Sequence, residues 1–146
     1  MATVELLFSA LPEHVRTARL VAAAVARRAG VEEAVLDEVR LAVGEACTRA
    51  VGLHQSNGIS APVRVLLTEE EKQFSIEVGD EAPHAVLGAR TPGTPGAGDA
   101  DAEAEEDEMG LAVISGLVDD VEVTAGESGG RIRMSWPTVP PATLSA

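Results

Sequence analysis

Tyrosine is absent from this chain, and only three aromatic residues occur, Phe8, Phe74 and Trp136. A core must therefore be assembled from Val, Leu, Ile and Ala. The same scarcity excludes a stacking platform for single-stranded nucleic acid, which needs several exposed aromatic faces. Cys47 is the sole cysteine, so no intramolecular disulfide can form. His14, His54 and His84 lie far apart without ligand spacing, and no metal site is expected. Ser9, Ser56 and Ser75 have no neighbouring base, which leaves nucleophilic catalysis without support. No apolar run approaches the ~18 residues that a membrane span requires. The start, MATVELLFSALPEH, lacks the basic and apolar regions of a secretory signal. The expectation is a cytoplasmic protein that avoids membranes.

Basic residues are also scarce: 11 Lys and Arg stand against 24 Asp and Glu, for a net charge of −13. Such a body repels the phosphate backbone of nucleic acids and suits a partner with a basic surface. Seven of the acids fall within ten residues, 99–108, and account for more than half of the net charge. The surrounding stretch, 85–108, is rich in Gly, Pro, Ala and acids and has no periodic apolar face. It reads as a flexible acidic lid.

What remains is patterned. Val4, Leu6 and Phe8 alternate with Glu5, Leu7 and Ser9, predicting a first strand over 3–9. Pro12 suits the first turn of a helix and Gly30 its C-cap, with Val15, Ala18, Ala22 and Val25 on one stripe. A second helix is expected from Glu32 to Val51, where Val35, Val39, Ala42, Ala46 and Ala50 share a face, followed by a loop over 52–61. Strands follow at 63–68 and 73–78, a short helix at 110–118, and strands at 121–124 and 132–136. The order β, α, α, β, β, loop, α, β, β predicts one α+β domain over 1–137, with a disordered tail over 138–146. The architecture expected is a two-layer α/β sandwich, a mostly antiparallel mixed sheet with helices on one face.

One stretch is more specific, Leu36-Asp-Glu-Val-Arg-Leu-Ala-Val-Gly-Glu-Ala-Cys-Thr48. It resembles the second helix of the GHKL (Bergerat-fold) ATPases, and more closely the bacterial anti-sigma-factor serine kinases typified by RsbW. In that family the helix carries Glu-x-x-x-Asn. The resemblance implies that Glu45 is the general base and that a metal-ligating Asn belongs at position 49, where this chain has Arg49. A guanidinium has no lone pair for Mg²⁺. Arg49 could pair with phosphate, form an i,i+4 pair with Glu45, or fill the site. A His four residues after the Asn is frequent in the family; here His54 follows Arg49 by five. The next family element, Asp-x-Gly-x-Gly, is met by Asp80-Glu-Ala82-Pro-His84, which keeps the adenine-binding Asp80 and replaces both glycines. Read without the family, Glu45 is a solvated helix residue and Asp80 a turn residue. The third element, Gly-x-Gly-Leu, is met by Glu108-Met-Gly110-Leu111, which keeps Gly110 and Leu111 for phosphate contact at a helix N-terminus.

The resemblance implies a homodimeric regulator that sequesters an alternative sigma factor and is countered by a STAS-domain anti-anti-sigma factor. Mg·ATP binding is expected to be weak or lost. Arg16 and Arg19, basic residues on the polar side of the first helix, are the expected partner contacts. Two other readings stay open: an active serine/threonine kinase acting on an anti-anti-sigma protein through Glu45, and a pocket reused for another small anionic ligand.

Overall fold

The computed structural model describes residues 2–83, 114–118, 120–126 and 129–138. The expected lid 85–108, His84, Gly110, Leu111 and the tail from 139 onward lie outside these residues. Strand β1 spans Ala2–Phe8, helix α1 Glu13–Ala29, and helix α2 Leu36–Ser56. They are followed by β2 (Val63–Glu69), β3 (Gln73–Asp80), β4 (Asp120–Gly126) and β5 (Gly129–Pro137). The strands form one open sheet in the order β1-β2-β3-β5-β4, and every described pairing is antiparallel. The fold is α+β, as the element order implies. A helical turn at 114–117 precedes β4 and places Ile114 and Val118 in the core.

Local chemistry sets the ends of the helices. Pro12 occupies the N-cap position of α1. Gly30 closes that helix in the left-handed region, φ 104°, with its N–H directed to the carbonyls of Ala26 and Arg27. A side chain would be strained there, which is why glycine is favoured. A short 3-10 turn, Glu33–Val35, then leads into α2.

The second helix departs from the sequence expectation at both ends. It begins at Leu36, after the 3-10 turn, and it continues through residues 52–56, where a loop was expected. Gly52 and the polar residues after it disguise a buried position: His54 is 0% exposed. The helix stops instead at Asn57-Gly58. The Asn57 side-chain amide donates to the Leu53 carbonyl at 2.8 Å, and Gly58 has φ 65°.

The strand alternation holds. Val63, Val65 and Leu67 of β2, Phe74, Ile76 and Val78 of β3, and Ile132, Met134 and Trp136 of β5 are all buried in one core. The helices answer with small residues, Ala18, Ala22 and Ala26 from α1 and Ala42, Ala46 and Ala50 from α2. The two large aromatics of the core, Phe74 and Trp136, stack with ring centroids 6.4 Å apart. The other face of the sheet carries cross-strand ion pairs, Glu5 with Arg64 at 2.8 Å and Glu77 with Arg131 at 3.4 Å. Such surface pairs contribute about 0–1 kcal/mol each.

The start of β5 lies hard against the end of β3. Gly129 has φ 142°, and a Cβ there would overlap the Asp80 carbonyl oxygen. Substitution Gly129→Ala is expected to destabilise the domain by about 3 kcal/mol through backbone strain and overlap. Urea denaturation followed by Trp136 fluorescence measures this; an unchanged midpoint would contradict the packing described.

Candidate functional site at the junction of helix α2 and strand β3

Helix α2 lies against both α1 and the sheet, so its side chains divide between two surfaces. Arg49 turns toward the sheet. Its Nη1 stands 3.9 Å from Oδ2 of Asp80, and the two side chains are only 8% and 2% exposed. That spacing is an ion pair and too long for a tight hydrogen bond. Oδ1 of Asp80 accepts the Ala82 N–H at 3.0 Å. Asp80 is thus a turn-former at the end of β3, as an Asp in this position often is, and also the counter-charge of Arg49.

His54, one further turn along α2, completes the junction. Its Nδ1 lies 2.9 Å from the Ala61 carbonyl oxygen, and its Nε2 accepts the Glu81 N–H at 2.9 Å. Cys47 is buried on the same helix, and burial pushes its thiol up to about 12. It remains a neutral, apolar packing group at physiological pH.

Glu45 belongs to the other surface. It is half-buried and lines a groove of about 510 Å³ between α1 and α2, together with Arg16, Arg19, Leu41, Gly44 and Thr48. Arg16 and Arg19 are exposed, as the helix stripe requires. Arg19 lies directly over Gly44, where a Cβ would come within 2.8 Å of its Cδ. Leu41, 55% exposed, forms part of the groove wall, and Leu20, 58% exposed, lies on the same helical hairpin. A larger hollow, about 630 Å³, opens on the opposite face of the sheet between Leu7, Arg64, Leu66, Glu77 and Arg131, and its lining reaches Asp80 and Glu81 at the end of β3.

The structure therefore groups the sequence candidates in a new way. Arg49 meets Asp80 across the α2–β3 junction, not Glu45 along the helix. Glu45 shares its groove with Arg16 and Arg19, residues that the sequence alone gave a separate role. His54 was missed as a site residue. The available signal was the Ser-Asn-Gly that follows it at 56–58, a helix stop placed one turn later than the loop assigned.

The family described as histidine kinase-like ATPase domain matches residues 8–136. The chain belongs to that family. No curated protein sequence matches it. Among solved structures it is similar to the RsbU and RsbW domains of Rv1364c from Mycobacterium tuberculosis, with a TM-score of 0.66 and 14% sequence identity. The match covers 96% of this chain and 34% of that one, so the chain spans about a third of that protein's length. At such low identity the likeness establishes the fold. Within this histidine kinase-like ATPase domain, Glu45, Arg49 and Asp80 occupy α2 and the end of β3, the elements named by the sequence resemblance. Among the described residues, no group of His, Cys, Asp and Glu side chains could hold a metal ion, and no helix is long and apolar enough to cross a membrane.

Two substitutions separate the roles of Asp80. Asp80→Ala removes both the acceptor for Ala82 N–H and the charge facing a buried guanidinium, and is expected to cost about 3 kcal/mol. Asp80→Asn keeps an acceptor oxygen and should cost about half as much. Equal costs for the two variants in chemical denaturation would show that the charge opposite Arg49 contributes nothing.

Proposed function

We propose that this domain is a partner-switching regulator of the anti-sigma type that has lost productive Mg·ATP binding. In this reading it holds an alternative sigma factor as a homodimer, and a STAS-domain anti-anti-sigma protein displaces it. The observation that carries the reading is the Arg49–Asp80 pair, at the positions where the resemblance implies a metal-ligating Asn and an adenine-binding carboxylate. Mg²⁺ needs oxygen ligands at about 2.0–2.1 Å. A guanidinium supplies none and repels the cation. The Asp80 carboxylate is already engaged, with one oxygen on the Ala82 N–H and the other facing Arg49. An adenine amino group would have to compete with both.

The α1–α2 groove supports the partner-binding half of the proposal. Arg16 and Arg19 present positive charge on a chain of net charge −13, beside the exposed Leu41. Basic residues next to an exposed apolar side chain suit a partner segment with acidic and aliphatic side chains. Glu45 then contributes to recognition as a fixed negative charge in the groove, with no proton to abstract.

Calorimetric titration of the folded protein with Mg·ATP is expected to give no binding. Micromolar affinity, with phosphate transfer that depends on Glu45, would replace this reading with an active serine/threonine kinase. Reversing both charges, Arg16→Glu with Arg19→Glu, is expected to weaken capture of the cognate sigma factor at least about tenfold, and more strongly at low salt. Unchanged affinity in a titration of purified proteins would remove the groove from the interface.

A further inference from the structure

We propose that His54 is the positioning residue of the Arg49–Asp80 site, a neutral imidazole latch that fixes the turn carrying the Asp80 carboxylate. What that site does rests on the function proposed above; the latch itself rests on geometry alone.

The argument begins with hydrogen-bonding capacity. A carbonyl oxygen only accepts, so the 2.9 Å contact from Nδ1 to the Ala61 oxygen assigns the ring proton to Nδ1. Nε2 then carries a lone pair, and the Glu81 N–H, 2.9 Å away, donates to it. The two partners choose one tautomer between them. An imidazolium would offer a donor at both positions and could not hold Glu81.

The Glu81 N–H needs this acceptor. The β3–β5 ladder ends at Asp80 opposite Gly130, and the β2–β3 ladder ends at Gly79 opposite Arg64. Residue 81 is therefore past the last rung, where the sheet has no carbonyl for it. The bond is part-buried, so losing it costs some fraction of the roughly 1–3 kcal/mol that a fully buried unpartnered donor costs. An apolar residue at 54 would fill the same space but leave that donor unmatched. The ring thereby ties three separate segments together: the last turn of α2, the connection into β2 at Ala61, and the residue after Asp80.

Glu81 lies between Asp80 and Ala82, the acceptor and donor of the adjoining turn. Fixing the Glu81 amide fixes the peptide on either side of it. That sets the direction of the Asp80 carboxylate toward Arg49. Since Arg49 and His54 both project from α2, the helix supplies the guanidinium that meets Asp80 and the ring that aims it.

The test uses the full chain labelled with ¹⁵N and ¹³C. The ring of the natural protein is expected to show a protonated Nδ1 and an unprotonated Nε2. In His54→Phe, the Glu81 and Ala82 amides should exchange with solvent at least about tenfold faster, the equivalent of one lost hydrogen bond. The Ile76 and Val78 amides in the middle of β3 should keep their rates. In His54→Gln the amide group carries a donor and an acceptor on either side of one carbon, as the imidazole N–C–N does. It should restore both amides to within about threefold of the natural protein.

The proposal is overturned by an Nε2–H tautomer, by exchange at 81 and 82 that does not respond to His54→Phe, or by a uniform acceleration across β3. Failure of Gln to do better than Phe would also overturn it. Should His54→Phe not fold, the ring tautomer and the Gln variant still decide. Nucleotide binding by the natural protein would defeat the proposed function and leave these exchange rates untouched, so the two failures are distinguishable.

Discussion

The close approach of α2 to both α1 and the sheet is the constraint on which the rest of this domain depends. With almost no aromatic residues available, both helices meet the core with alanine: Ala18, Ala22 and Ala26 from α1, and Ala42, Ala46 and Ala50 from α2, nearly all solvent-free. Small side chains let two helices approach closely, and the dense packing that results leaves little freedom to shift. Bulk is concentrated instead on the sheet, in Phe74, Ile76, Met134 and Trp136. Helix α2 is thereby pressed onto β3, and any polar group on its inner side must find a partner at the end of that strand. Arg49 and His54 do so, through Asp80 and Glu81.

Two kinds of electrostatics follow from this layering. On the open face of the sheet, Glu5–Arg64 and Glu77–Arg131 pair in solvent, where screening makes them weak. At the α2–β3 junction the Arg49–Asp80 pair sits almost entirely out of water. There the attraction is stronger, but so is the cost of removing each charge from solvent. Such a pair adds little net stability, and its main effect is to make one arrangement of the two elements much better than its neighbours. The backbone donors around it, at Ala82 and Glu81, are matched by Asp80 and His54, so the polar cluster is tied to the chain at several points.

Much of the fold is legible in the sequence because it depends on local periodicity. Alternation in Val4–Phe8, Val63–Leu67 and Ile132–Trp136 marks the strands, and Pro12 and Gly30 bracket α1. The end of α2 was hidden because Gly52 and the polar residues after it look like a loop, while the burial of His54 is a property of the tertiary fold. Arg49 and Asp80 could both be singled out from their places in the motif. Their pairing could not, since local spacing suggests Glu45 as the partner of Arg49 and carries no information about contacts between helix and sheet. The same limit applies to Glu45: helical position alone does not reveal that Arg16 and Arg19 stand across the same groove.

Gly44 has a further meaning for how such a surface can change over generations. It sits beneath Arg19, where one methyl group would meet the arginine stem at 2.8 Å. Residue 44 has no side chain with which to grip a bound molecule, yet its size affects where the guanidinium of residue 19 can rest. Drift at that single position would redraw the charge pattern of the hairpin while leaving every exposed side chain the same in identity. Related domains with the same charged residues could therefore diverge in what they recognise through the size of one residue on the groove floor.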